Sequence, residues 1–154
     1  MRYTIRPLRW RDARAISGWR YPGPYAVYDM DMLLPMLTQQ FLRLTGMTIY
    51  FAALDERRVL VGFFSFLRRG ETVEVGLGMR PDLTGKGLGL EFLQAGLDFA
   101  RRRFAPTGFS LNVALFNRRA RTVYERAGFA PRGTFHARLG KSGYEFLEMT
   151  RPAR

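Results

Sequence analysis

The chain has 154 residues, 47% of them hydrophobic, and a formal net charge of +12 from 25 basic and 13 acidic side chains. This length and composition predict a single folded domain over residues 1–154 and argue against disorder. No apolar run approaches the roughly 20 residues that span a membrane, and the first residues lack a signal-peptide core. We therefore expect a cytoplasmic protein with no membrane partner.

Two residue types limit the possible chemistry. The chain has no cysteine and one histidine, His136. Disulfides, thiolate metal sites and a cysteine nucleophile are excluded, and a His-rich metal site or a His-centred triad is poorly supported. We expect no metal.

The positive charge has two interpretations. It could attract an anionic partner, such as coenzyme A phosphates or nucleic acid, or it could be a solvated, arginine-rich surface. Only Lys86 and Lys141 are lysines, and for most of the arginines we favour the solvated surface. Arg118, Arg119 and Arg121 are exceptions, because they lie in a motif described below.

The first third of the chain predicts a strand, two helices and an aromatic loop. Residues 3–8 alternate like a strand, and Asp12 is expected to cap a short helix. The inward-facing residues of that helix are Ala13, Ile16 and Trp19. Two prolines and a glycine predict a loop at 21–25, and a second helix is expected from Asp31. Its apolar face consists of Leu33, Leu34, Leu37, Phe41 and Leu44.

The rest of the chain predicts six strands and two helices. They are expected as strands at 48–54, 59–67 and 72–79, a helix at 88–104, a strand at 109–115, a helix at 118–126, and strands at 129–138 and 144–150. Short turns between the first three of these strands favour antiparallel hairpins. Gly128 is expected to end the helix at 118–126. The helix at 88–104 is expected to bury an apolar stripe that consists of Leu88, Phe92, Leu93, Leu97, Ala100 and Phe104.

The most informative stretch is Thr84-Gly85-Lys86-Gly87-Leu88-Gly89, between a strand and the long helix. Its glycines allow close approach to the backbone and turns that aim several N–H groups at one point. The helix adds unpaired N–H groups and a positive dipole end. This favours a pyrophosphate site, although a tight turn alone could also account for the glycines. Leu90-Glu91 follows the last glycine, which excludes a P-loop, and the glycine spacing differs from GxGxxG.

This stretch resembles the acetyl-CoA signature of the GNAT superfamily of N-acetyltransferases: Gln or Arg, two residues, Gly, one residue, then Gly or Ala. Thr84 replaces the usual Gln or Arg. Residues 117–129 match a second family pattern, Asn-x-x-Ala-x-x-x-Tyr-x-x-x-Gly-Phe. The resemblance implies an α/β (α+β) fold with a mixed central sheet of about seven strands and about four helices. It also implies that the fourth and fifth strands splay apart to admit the pantetheine arm of the cofactor.

The resemblance further implies acetyl transfer from acetyl-CoA, a co-substrate, to an amine. The implied cofactor-binding residues are Leu77, Gly78, Met79, Thr84, Gly85, Lys86, Gly87, Leu88, Gly89, Asn117, Arg119 and Tyr124. A backbone N–H near Met79 would polarise the carbonyl. Tyr124 is the implied catalytic acid, since a phenol with a pKa of about 10 is protonated at neutral pH. Asn117 opens its helix and could instead, or also, serve as an N-cap.

Glu74 is the candidate catalytic base, because the family often places a glutamate on this strand. With regular alternation, Glu74, Gly76 and Gly78 share one face. The glycines could leave room there for a ligand or water. Alternatively, Glu74 is a surface or edge-strand residue and the glycines fit against a helix. His136 is expected to be a polar or packed residue.

Four aromatic residues surround the Pro-Gly-Pro loop: Trp19, Tyr21, Tyr25 and Tyr28. They form either a cover over the core or one wall of an acceptor pocket, with Tyr25 and Tyr28 as substrate-binding residues. Asp29 and Asp31 are the acidic residues near this loop. A strongly basic protein should disfavour polycationic amines unless a local acidic pocket overrides the field.

We expect an N-acetyltransferase, monomeric or homodimeric, acting on a primary amine of a small molecule or of a protein or peptide. We expect no nucleic-acid partner. One alternative is a non-catalytic acyl-CoA-binding sensor, which would keep the glycine loop but lack a working Glu74 or Tyr124. The other is a basic nucleic-acid-binding protein, which would need a continuous positive stripe with exposed aromatic rings.

Overall fold

The computed structural model describes residues 2–30, 48–139 and 142–154. Its strands are β1 (Thr4–Pro7), β2 (Thr48–Leu54), β3 (Leu60–Arg69), β4 (Thr72–Met79), β5 (Gly108–Ala114), β6 (Ala130–Leu139) and β7 (Ser142–Pro152). Its α-helices are α1 (Trp10–Ser17), α2 (Gly89–Phe104) and α3 (Arg118–Arg126), with short 3-10 helices at Gly23–Tyr28 and Pro81–Leu83. The strands form one seven-stranded sheet in the order β1-β2-β3-β4-β5-β7-β6. Only β4 and β5 are parallel, so the predicted mixed α/β sheet is confirmed.

The predicted elements within the described residues are present, with strand ends that differ by at most two residues. The predicted loop at 21–25 overlaps the 3-10 helix Gly23–Tyr28, which begins at its third residue. Gly128 follows α3 with φ 92, the left-handed conformation that ends many helices. The helix predicted from Asp31 lies outside the described residues.

The prediction that Asp12 caps α1 is wrong. The helix begins at Trp10, and Asp12 is its third residue, where its carboxylate accepts the Arg9 N–H at 2.9 Å. The same carboxylate binds the Arg6 guanidinium at 2.6 Å. Asp12 thus occupies the third helical position of a capping box, and Arg6 on β1 is the partner that local capping rules do not anticipate.

The main core lies between the sheet and α2. Phe92, Leu93 and Leu97 of α2 are almost completely buried, and the Phe92 ring stacks on Phe64 of β3 with centroids 4.5 Å apart. Burial of large aromatic rings is the dominant favourable term in such a core. The stripe predicted for the long helix therefore anchors the residues that follow the glycine loop.

The opposite face of the sheet carries α1 and the segment from Trp19 to Tyr28, which we call the aromatic loop. Ala13 and Ile16 of α1 are fully buried beside Phe63 of β3, and Trp19 packs against the same ring. No helix in the described part of the chain is both long and apolar enough to cross a membrane.

Candidate active site

The site begins where β4 and β5 part. Their parallel pairing covers only three residue pairs, from Thr72↔Gly108 to Glu74↔Ser110. β4 then continues to Met79 and β5 to Ala114 without pairing to each other. A wedge-shaped gap opens between them toward their carboxyl ends, as the resemblance implied.

The sheet register tells which backbone groups face this gap. In the antiparallel ladder with β3, the Arg80 N–H donates to the Val61 carbonyl at 2.8 Å. Hydrogen-bonded pairs alternate along such a ladder, so Gly78 and Gly76 direct their backbone groups to β3. Leu77 and Met79 consequently direct theirs toward β5, into the gap.

Two tyrosines of the aromatic loop bind opposite sides of the gap. The Tyr21 hydroxyl donates to the Met79 carbonyl on β4 at 2.6 Å. The Tyr28 hydroxyl accepts the Ala114 N–H on β5 at 3.1 Å and the Asn117 amide at 3.3 Å. Burial, with a smaller effect of nearby Asp29, raises the pKa of Tyr21 well above its usual range, so it remains a donor. The loop thus takes over hydrogen bonds that the separated strands cannot make to each other.

The glycine loop leads from the end of β4 to α2. Gly85 and Gly87 have φ values of 73 and 79, a region that side chains rarely adopt. A Cβ at Gly87 would meet no atom within 4 Å, so a ligand can approach the backbone there. Gly89 serves packing instead, because its Cβ position lies 3.3 Å from Val123 of α3.

The side chains of the other residues in the glycine loop contact the protein itself or are exposed. The Thr84 hydroxyl donates to the Pro81 carbonyl at 2.7 Å, which stabilises the preceding 3-10 turn. Lys86 is exposed, and Leu88 is the N-cap of α2 and packs against the core. The loop backbone is therefore the part that fits a pyrophosphate, together with the positive dipole end at the start of α2.

Arg119 connects this loop to the aromatic loop. Its Nη1 lies 3.1 Å from the Cβ position of Gly85, and its guanidinium carbon lies 4.5 Å from the Tyr25 ring centroid. This is close enough for a cation–π interaction. A guanidinium in this place can also bind a phosphate beside the glycine loop.

Asn117 and Tyr124 project from α3. The Asn117 side chain accepts the Ala120 N–H at 3.1 Å and therefore caps the helix, while its amide donates to Tyr28. The Tyr124 ring lies edge-on to Phe129. Burial, and to a lesser degree the neighbouring Tyr28, raises the pKa of Tyr124 well above its usual range. Its phenol stays protonated at neutral pH.

Glu74 lies at the closed end of the gap, where the pairing of β4 and β5 stops. Its carboxylate forms an ion pair with Arg69 at 3.1 Å. The predicted alternation is present, with Val73 and Val75 buried on the opposite face. Ser65 and Phe63 fill the space beside Gly76 and Gly78. These glycines therefore accommodate neighbouring side chains of β3 and do not leave the room for a ligand that we considered.

A chain of aromatic rings continues from the loop across the mouth of the gap. Phe116, just after β5, lies 6.1 Å from Tyr25, 6.4 Å from Tyr28 and 6.3 Å from Tyr144 of β7, measured between centroids. His136 is exposed and pairs with Glu145. In the described ranges no group of three or more His, Cys, Asp or Glu side chains could hold a metal ion.

Sequence reasoning missed two features of this site. It did not identify the bond from Tyr21 to Met79, which joins residues 58 positions apart. It also gave no role to Phe116, which is exposed to 39% between three tyrosines. A large exposed aromatic residue directly after a strand could have been recognised as a candidate for ligand contact.

Comparison with known proteins agrees with this geometry. The profile of the acetyltransferase (GNAT) domain matches residues 2–130. The chain belongs to the GNAT family of acetyltransferases. No curated protein sequence matches this GNAT domain significantly.

Solved structures share the whole fold. A chimera of the Vibrio cholerae spermidine N-acetyltransferase SpeG and hSSAT is 19% identical, with a TM-score of 0.81 over 99% of this chain and 96% of that chain. Spermidine N-acetyltransferase from Vibrio cholerae in complex with CoA and spermine is 20% identical, with a TM-score of 0.76 over 98% and 95%. At these identities the likeness establishes the fold alone.

The open position of Gly87 gives a test of the glycine loop. Gly87→Glu should remove the stabilisation by acetyl-CoA in thermal unfolding, because it adds a side chain and a negative charge where the pyrophosphate would lie. Gly70→Glu is the matched control, since Gly70 has φ 63 and equally open surroundings in the turn between β3 and β4. An equal loss in both variants, or in neither, would argue against the loop as the binding site.

The tyrosine bonds across the gap predict an effect on stability. Tyr28→Phe leaves the buried Ala114 N–H and Asn117 amide without their acceptor, which should cost about 1–3 kcal/mol. For a chain of this size each kcal/mol lowers Tm by roughly 2–4 °C. Tyr25→Phe is the control, because the Tyr25 hydroxyl makes no hydrogen bond with a described residue. If both variants melt with the wild type, Tyr28 does not contribute to holding β5 in place.

Proposed function

We propose that the protein transfers an acetyl group directly from acetyl-CoA to a primary amine. The observation that carries this is the alignment of an open glycine loop with the gap between β4 and β5. Bound acetyl-CoA would supply the activated acetyl group as a thioester. The loop and Arg119 would bind its phosphates, and the backbone groups of Leu77 and Met79 would bind the arm that enters the gap.

The position of Glu74 limits where it can act. Met79 lies five positions further along β4, which is about 17 Å along an extended strand. As a base, Glu74 therefore requires the reacting carbonyl near the closed end of the gap. The N–H of Leu77, about 10 Å from Glu74 along the strand, is then better placed than that of Met79 to polarise this carbonyl. As the proposed base, the Glu74 carboxylate would accept the proton through water while it stays beside Arg69.

Tyr124 is the proposed proton donor to the leaving thiolate. It is buried enough to keep its proton at neutral pH, and Tyr28 beside it accepts two hydrogen bonds from other groups. The Tyr124 O–H is thus available to a developing thiolate, which a hydrogen-bond donor stabilises.

The aromatic rings around Phe116 are the proposed acceptor wall, with Tyr25 and Tyr28 as substrate contacts. The nearby carboxylates are already engaged: Asp29 accepts the Tyr21 N–H at 2.9 Å, and Glu145 pairs with His136. Outside the described residues, Asp31 is the only acidic residue between 31 and 47. These features favour an acceptor with one amine on an apolar body, and we do not transfer the polyamine acceptor of the structural relatives to this chain.

Thiol release across a panel of acceptors tests this function. We expect turnover with an aralkyl monoamine or a peptide that has an apolar N-terminal residue. Spermidine should be used with a kcat/KM at least about tenfold lower, because the described carboxylates nearest this wall, Asp29 and Glu145, are already bound by other groups. A thiol reagent reports only released coenzyme A, since the chain contains no cysteine.

Other outcomes separate the alternatives. Preference for spermidine would reject the apolar acceptor but keep the acetyltransferase. Tight acetyl-CoA binding with no thiol release from any amine would favour the non-catalytic sensor.

The role of Tyr124 has a matched test in this chain. Tyr124→Phe should lower kcat about 100-fold or more while acetyl-CoA affinity changes little, because only the donated proton is lost. Tyr3→Phe is the control, since the Tyr3 hydroxyl is buried without a hydrogen-bond partner among the described residues, and it should retain full activity. Parallel loss of affinity and rate in Tyr124→Phe would point to a packing role instead.

A further inference from the structure

A second cavity lies at the other edge of the sheet, where α1 meets β2 and β3. Its volume is about 390 Å³, within the roughly 300–1,000 Å³ typical of small-molecule sites. Four arginines line it: Arg6, Arg9, Arg11 and Arg58. We call it the arginine pocket. Three strand spacings, about 14 Å, separate β1 from β4, so this pocket is distinct from the proposed acetyl-CoA site.

The charges in the arginine pocket do not cancel. Asp12 is the acidic residue in its lining, and it is buried and bound by Arg6 at 2.6 Å and 3.2 Å. Burial alone would raise the pKa of Asp12. The hydrogen bonds from the Arg6 side chain and the Arg9 backbone, together with the charges of both arginines, lower this pKa below its usual value. Arg9, Arg11 and Arg58 form no ion pair with a described residue. The lining therefore carries four arginines against one aspartate.

The backbone at Arg58 adds an independent observation. Arg58 has φ 64 in the turn between β2 and β3, where its N–H binds the Asp55 carbonyl at 2.9 Å. Glycine is the residue that adopts this conformation without strain. The chain keeps a strained arginine at a position that favours glycine, and such strain often accompanies a functional side chain.

We propose that the arginine pocket binds a small anion that carries phosphate groups. Guanidinium groups bind phosphate oxygens in a two-pronged geometry, and Leu54 and Leu60 give the pocket an apolar floor for the rest of such a ligand. A half-open pocket on one corner of the sheet suits a compact ligand better than an extended nucleic-acid backbone, which needs a continuous stripe.

Calorimetric titration with inorganic pyrophosphate tests the proposal. Saturating coenzyme A is present throughout, so that the glycine loop is occupied, and ionic strength is held constant. We expect wild-type protein to bind pyrophosphate, and Arg58→Gly to weaken binding at least tenfold. Without ligand, Arg58→Gly should melt at the wild-type temperature or a few degrees above it, because it relieves the strained turn. Loss of binding in a protein that is not destabilised assigns the effect to the side chain.

Two further variants complete the experiment. Arg11→Gln should weaken pyrophosphate binding in the same way, which keeps the test valid if Arg58→Gly folds poorly. Arg102→Gln on the exposed face of α2 changes the net charge equally and should bind like wild type. The proposal is wrong if wild-type protein binds no pyrophosphate under these conditions, or if the pocket variants bind as tightly as Arg102→Gln. Tighter binding of a single-stranded oligonucleotide, weakened equally by all three substitutions, would instead indicate a general polyanion surface.

Discussion

The parting of β4 from β5 after three residue pairs is the constraint on which the rest of this structure depends. A continuous sheet would satisfy the backbone of both strands internally. Once the strands separate, Leu77 and Met79 on β4 and Ala114 on β5 turn hydrogen-bonding groups toward a gap. Such groups are costly to leave unpaired in a protein interior. Tyr21 and Tyr28 bind the Met79 carbonyl and the Ala114 N–H. The backbone groups of Leu77 and the Met79 N–H remain for a cofactor with amide bonds, so the opening that leaves them unpaired also makes them usable.

The aromatic loop is best understood from this constraint. It supplies one hydroxyl as a donor to the β4 side and another as an acceptor for the β5 side. Tyrosine suits both tasks, since its ring packs against apolar neighbours while its hydroxyl reaches a polar group. The loop that borders the proposed acceptor wall is therefore also the loop that stabilises the donor gap. Changes in the acceptor region should consequently be judged with acetyl-CoA binding measured beside them.

The sequence was sufficient for those features that depend on local pattern. The alternation in β4, the apolar stripe of α2 and the Asn117 cap all follow from short-range rules, and the structure contains each of them. The family patterns at 84–89 and 117–129 indicate the family from the sequence, and the fold agrees. The sequence could not supply the partner of Asp12, because Arg6 lies on a different element. The bonds of Tyr21 and Tyr28 were equally inaccessible, since they join residues 58 and 86 positions apart.

The role of each arginine depends on its position in the fold and cannot be inferred from the net charge. In composition, Arg102 and Arg119 are equivalent contributions to a net charge of +12. In the structure, Arg102 is exposed on α2, whereas Arg119 lies between Gly85 of the glycine loop and the Tyr25 ring. A phosphate beside the loop would compete with the ring for this guanidinium, or share it with the ring. Phosphate binding at the glycine loop would therefore change the contact between Arg119 and the Tyr25 ring. For this reason one side chain connects the proposed donor and acceptor sides of the site, although these lie on separate stretches of the sequence.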